Sequence, residues 1–161
     1  MSDVLSWMQS SALGHTMRES GPWTYALVNL AHILGIGALF GAVLILDLRL
    51  LGAWRRTPLA PLAEVAAPVA AAGFTLAAVS GVGLLASNAT DYAGNPFLLV
   101  KFPAIAVGLI NVLLLRRSEA WRARATRELT RGEQRRLTLM AGISLGSWLT
   151  AIAAGRLIGY W

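Results

Sequence analysis

Four long stretches of this sequence carry almost no charge, and each is about as long as a bilayer core is thick. Such a core needs roughly 20 consecutive apolar residues in helical form. The stretches cover residues 23–46, 65–86, 97–115 and 137–160. Backbone polar groups in hydrocarbon must be satisfied within the chain, and a helix does this by itself. The expected fold is therefore all-α: a four-helix transmembrane bundle forming a single integral membrane domain over residues 1–161. Composition agrees. Only 14% of the residues are charged and 56% are hydrophobic, against about 25% charged in an average soluble domain.

The boundaries carry their own signals. Gly21-Pro22 opens the first span, and Asp47-Leu48-Arg49 marks the return to polar surroundings. A Pro58/Pro61 turn precedes the second span, and Asn95-Pro96 starts the third. Trp23, Tyr25, Trp54, Tyr92, Tyr160 and Trp161 lie near span ends, where an interfacial aromatic belt is expected. Residues 1–20 lack the basic leader of a cleavable signal, and Ser, Gln and His interrupt their apolar positions. Val4, Leu5, Met8 and Ala12 share a helical face with Trp7 beside them, which reads as a short amphipathic helix lying in the interface.

Arginine sets the orientation. The loop after the first span holds Arg49, Arg55 and Arg56. The 116–136 loop holds Arg116, Arg117, Arg122, Arg124, Arg127, Arg131, Arg135 and Arg136. The 87–95 loop holds none. By the positive-inside rule the two Arg-rich loops are cytoplasmic, and both termini face the periplasm of a bacterial inner membrane. The net charge of +6 is then topogenic, with anionic lipid rather than nucleic acid as its partner. Glu119, Glu128 and Glu133 interrupt the long basic loop, which favours a solvated helical hairpin or extension. The absence of cysteine excludes disulfides, thiolate metal sites and a cysteine nucleophile.

Stripes of small residues predict where helices meet. They are Gly37 with Gly41 in the first span, Ala66, Ala70, Gly73, Ala77 and Gly81 in the second, and Gly142, Gly146, Thr150 and Ala154 in the fourth, with Gly155 and Gly159 beside them. Gly146 in particular is expected on a tight seam. Such stripes serve contacts within the chain, in a homo-oligomer or in a larger membrane complex.

Polar groups inside a span are costly, so each needs a partner or a purpose. In the first span Tyr25, Asn29, His32, Ile36, Val43 and Asp47 recur at helical spacing on one face. His32 lies roughly 10 Å beyond Tyr25 along the axis, and Lys101 and Arg156 lie roughly 6 Å inside the outer boundary. Gly35 is expected to clear space beside the imidazole, and Pro103 to kink the third helix near Lys101. His32, Asn29, Tyr25, Lys101 and Arg156 are the candidate ligand-binding set, with His32 as the one metal-ligating candidate. A blander reading stands beside it. Lys101 and Arg156 snorkel to lipid phosphates, and His32 bonds a neighbouring carbonyl. Asp47, Arg49 and Asn111 are expected to be structural: Asp47 clamping Arg116, Arg136 or a helix end, Asn111 joining helices, and Ser144 and Ser147 simply packing. No serine–histidine–acid spacing and no phosphate-binding glycine loop is present.

Arg18-Glu19-Ser20, Trp23-x-Tyr25, His32, Gly35 and the run Asp47-Leu48-Arg49-Leu50-Leu51-Gly52 resemble an uncharacterised family of bacterial four-span membrane proteins. Asn95-Pro96-Phe97, Lys101, Asn111 and Gly155-Arg156-x-Ile158-x-Tyr160 extend the match over nearly the whole chain. The resemblance implies architecture and membrane location, and no activity. A fainter one is to copper-resistance D and membrane protoporphyrinogen-oxidase type bundles. Those place a histidine early in the first span, and elsewhere a lysine followed about three turns later by a histidine. Lys101 fits, but Asn111 stands where the second histidine would be, which removes one ligand of a bis-histidine haem.

Two functions from different classes follow. One is a non-catalytic membrane subunit or scaffold. The other is a redox or ligand-binding module in which His32 ligates haem b or copper, or bonds a quinone, while Lys101 and Arg156 hold anionic groups. A small transporter fits less well, because Asp47 and Glu64 lie at the edge of the spans rather than near midplane.

Overall fold

The structure, a computed structural model, describes residues 2–161, with Ser2 described by its backbone alone. Met1, where the expected interfacial helix begins, lies outside them. Seven α-helices and no strands occur among the described residues: α1 (Ser2–Ser10), α2 (Ala12–Glu19), α3 (Gly21–Leu51), α4 (Leu59–Ser87), α5 (Pro96–Arg117), α6 (Glu119–Ala123) and α7 (Arg131–Leu157). Four of them, α3, α4, α5 and α7, are long and apolar enough to cross a membrane.

The helices outrun their apolar cores. α3 continues past Asp47 to Leu51, and α4 begins six residues before Val65. α3 ends on Gly52, whose φ of 110° only glycine adopts easily. The side chain of Arg49 then holds the turn, donating from Nε to the Thr57 carbonyl at 2.7 Å and from Nη2 to the Arg55 carbonyl at 3.1 Å. The N-terminal helical segment is broken in two. Ser11 accepts from the Gly14 amide at 3.3 Å and so caps α2 instead of continuing α1.

Burial on the long helices follows stripes rich in small residues. On α4 the stripe runs Ala63, Ala66, Gly73, Ala77, Ser80, and on α5 Leu98, Ala104, Gly108, Asn111, Leu115. Large apolar side chains face outward instead, among them Leu30, Ile33, Val65, Val79, Ile110 and Leu113. Only 22% to 39% of the most apolar window of each long helix is buried. In water that distribution would leave an extensive apolar surface uncovered; in lipid it is the ordinary one.

The chain forms two compact units. One holds the chain up to Leu39 and Ala71–Pro96. Within it α3 and α4 meet backbone to backbone. A Cβ on Gly35 would lie 2.6 Å from the Ala77 nitrogen and 2.9 Å from the Gly73 carbonyl, and one on Gly73 would strike the Leu39 nitrogen. α1 and α2 pack on the end of α4 and the turn after it. Gln9 Oε1 accepts from both the amide and the hydroxyl of Thr90 at 2.7 Å, and Arg18 donates to the Ser87 carbonyl at 3.2 Å.

The other unit holds Phe40–Ala70 and Phe97–Trp161. Its core gathers Ala42 and Leu46 of α3, Ala63 and Ala66 of α4, Leu115 of α5, and Leu137 and Met140 of α7. The basic loop is folded over this core. Ser118 caps α6, which buries Ala120 and Trp121 in the same cluster. Arg124 lies 4.1 Å from the Trp121 ring centroid. A capping box of Thr130 and Glu133 starts α7, and Arg127 bonds both Glu133 oxygens at 2.9 and 2.7 Å. This is the helical extension expected of a loop with mixed charges.

Two glycine seams differ from expectation. Cβ atoms on Gly37, Gly41, Gly142, Gly146 and Gly159 would meet nothing within 4 Å. Gly142 and Gly146 instead line an open groove of about 520 Å³ with Val100, Pro103, Val107 and Thr150. Spacing identifies a face that permits close approach, but not whether a helix occupies it. The α4 stripe is occupied and the α7 stripe is not. Gly35→Ala is accordingly expected to cost about 1–3 kcal/mol, because backbone cannot yield to the added carbon. Gly146→Ala should stay within about 0.5 kcal/mol of the parent. Thermal unfolding in detergent measures both, and equal losses would place a helix over Gly146.

Candidate functional site

His32 projects from α3 onto α4 within the first unit. Its Nδ1 lies 2.8 Å from the Ala77 carbonyl and 3.2 Å from Ser80 Oγ. A carbonyl only accepts, so Nδ1 carries the proton. Ser80 spends its own hydroxyl hydrogen on the Leu76 carbonyl at 2.5 Å and can receive the histidine proton as a second acceptor. The ring lies against Gly81, where a Cβ would stand 2.8 Å from Cε1. Gly81, rather than Gly35, makes room for the imidazole. Gly35 is consumed by the backbone contact with Gly73 and Ala77.

The other candidates on α3 sit apart from this bond. Asn29 is exposed, and so is Tyr25. Tyr25 lies near Tyr92, whose phenol is pushed above its ordinary value by burial first and then by Tyr25 and Asp91. Among the described residues no group of three or more His, Cys, Asp or Glu side chains is placed to hold a metal.

Lys101 and Arg156 belong to the second unit. The half-buried Lys101 ammonium lies over Gly155, 3.3 Å from where a Cβ would be. Arg156 is exposed. It stacks 4.8 Å from the Tyr160 ring centroid and donates to the Tyr160 hydroxyl at 2.5 Å. α5 and α7 thus bring Lys101 to Gly155, while Arg156 is engaged with Tyr160 and His32 belongs to the first unit.

The second unit also buries polar residues elsewhere. Asp47, Asn111 and Ser144 are each 4% to 5% exposed. Asn111 Nδ2 donates to the Met140 carbonyl at 2.9 Å, tying α5 to α7. Asp47 does not clamp an arginine, as its position beside Arg49 suggested. It forms no ion pair among the described residues, and its hydrogen-bonding neighbour is the Ser144 hydroxyl. The reason is geometric. α3 extends a full turn beyond Asp47, and α6 folds over the core that holds Leu46. In sequence Ser144 reads as a packing residue, and only its register with Met140 and Ser147, on the buried face of α7, hints otherwise.

Two glycines separate a rigid neighbour from a yielding one. Gly81→Ala is expected to break the His32 bonds or push α3 and α4 apart, costing about 1–2 kcal/mol. Gly155→Ala meets only the flexible end of Lys101 and should be near neutral. Unfolding of the two variants, followed by tryptophan fluorescence, checks the difference; equal sensitivity would contradict it.

No curated protein and no solved structure matches the chain. A family model described as a family of unknown function, DUF6644, matches residues 4–161. Matched over nearly its whole length, the chain belongs to that family of unknown function.

Proposed function

We propose that this protein is a multi-pass inner-membrane protein with both termini in the periplasm, and that it serves as a non-catalytic subunit or scaffold. The carrying observation is the use made of His32: its Nδ1–H ties α3 to α4 through the Ala77 carbonyl and Ser80. The ionisable group that first suggested chemistry is thereby a helix-to-helix tie. The uncovered α7 stripe supports the same reading. Gly142, Gly146 and Thr150 flank an open groove beside Pro103, and small residues admit a helix of another subunit or a second copy of this chain.

A second reading draws on the same bond. A histidine whose Nδ1–H is held by a carbonyl presents the tautomer and orientation typical of a metal-ligating imidazole. On that reading His32 ligates haem b or copper, or bonds a quinone, with Asn29 and Tyr25 of the same helix as further candidates. The visible spectrum and metal content of the purified protein separate the two. The scaffold reading predicts no His32-dependent absorption band and no stoichiometric metal. It also predicts that His32→Ala lowers stability by about 1 kcal/mol through loss of the tie. A haem band lost in His32→Ala would replace it with the ligand-binding reading.

The orientation rests on the arginine asymmetry between loops. Reporter fusions after Arg124 are expected to be active in the cytoplasm, and fusions at Trp161 in the periplasm. The reverse pattern would invert the protein.

A further inference from the structure

We propose that Asp47, with the Ser144 hydroxyl beside it, is a buried site for one small cation, a proton or a sodium ion, at the Arg-rich end of the spans. This goes beyond the scaffold reading and does not depend on it. Asp47 is 4% exposed, and its Oδ2 has no hydrogen-bond partner. Its chain neighbour Leu46 belongs to the apolar core cluster with Leu115 of α5, Trp121 of α6, and Leu137 and Met140 of α7. A carboxylate buried there without a counter-charge would cost several kcal/mol. One unit of positive charge removes that cost.

The protein does not supply the charge from its own side chains. Arg49 is turned to the carbonyls of Thr57 and Arg55. Arg116 and Arg117 at the end of α5, Glu119 and Arg122 of α6, Arg135 and Arg136 at the start of α7, and Glu64 of α4 are all exposed. Arg124 is held by the carbonyl and ring of Trp121. None of these cations pairs with Asp47.

Ser144 is kept for the carboxyl. A helical serine ordinarily returns its hydroxyl hydrogen to the carbonyl four residues back, as Ser147 does to Ile143 at 2.7 Å. For Ser144 that carbonyl is Met140, which receives Asn111 Nδ2. The hydroxyl hydrogen instead serves Asp47. A proton entering from water would bind the carboxylate oxygen, taking the group from −1 to neutral. A sodium ion would sit against the carboxylate and the Ser144 oxygen and neutralise the same charge.

Infrared difference spectroscopy of the full chain in lipid nanodiscs tests the site. Steps of pH in sodium-free buffer, and sodium added at fixed pH, are compared between the parent and Asp47→Asn. The expected result is a protonated-carboxyl band that responds to pH in the parent and is lost in Asp47→Asn. If sodium is the ligand, sodium at fixed pH removes that band; if the ligand is the proton alone, it does not. Ser144→Ala removes a donor that favours the ionised form. It should therefore tighten proton binding roughly tenfold and weaken any sodium effect. Identical pH and sodium responses in the parent and a folded Asp47→Asn would overturn the proposal. Should Asp47→Asn not fold, an unshifted carboxyl response in Ser144→Ala would overturn it as well.

Discussion

A helix in hydrocarbon satisfies its own backbone, and everything else in this protein depends on that. Lipid competes with apolar side chains as an equal, so burying leucine gains little there. Association must come from close packing and from the few hydrogen bonds that side chains make between helices. The burial pattern reflects this. Alanine, glycine and serine are frequent in the inward stripes, beside Leu39, Leu46, Leu98 and Leu137, and many of the other leucines, isoleucines and valines face out. At Gly35 and Gly73 the approach is so close that only the missing Cβ allows it. Those two positions fix how α3 meets α4, and the ring of His32 then finds the Ala77 carbonyl because the helices are already that near.

The interhelical polar ties are sparse. In the first unit they include His32 to Ala77 and Ser80, and Arg18 to the Ser87 carbonyl; in the second they include Asn111 to Met140, and Thr138 to the Leu50 carbonyl at 3.0 Å. Bonds of this kind between membrane helices contribute on the order of 1 kcal/mol each, because the separated helices also find partners. They add register to contacts that packing creates. Side-chain donors are spent on carbonyls along a neighbouring helix, which is why one tie leaves no signature in spacing alone.

The four long apolar helices were legible in the sequence, since an uncharged stretch of span length has few alternatives to a helix. The arginine-rich connector was legible as folded structure from its interspersed glutamates, and Glu133 indeed closes both a capping box and the Arg127 pair. What escaped was tertiary. The stripe at Gly142 and Gly146 has the same spacing as the one at Gly73 and Ala77, and only coordinates show which is covered. The room for His32 comes from Gly81, 49 positions along the chain, and no local pattern links the two. Asp47 looked peripheral because apolar residues stop there. A helix does not end where its hydrophobicity ends: α3 runs four residues past Asp47, and the carboxylate is buried.

His32 and Asp47 illustrate opposite solutions to one problem. A neutral imidazole has one donor, and a backbone carbonyl with a spare lone pair answers it; such carbonyls line every helix. An ionised carboxylate has only acceptors, and the helix interior offers it almost no donors, because each backbone N–H already serves the carbonyl one turn back. A serine hydroxyl can serve one oxygen. The other must be answered by a cation, by a bound proton, or not at all. The histidine is therefore at home in a purely structural tie. An aspartate placed the same way remains an open demand for positive charge, and in that respect Asp47 differs from the histidine.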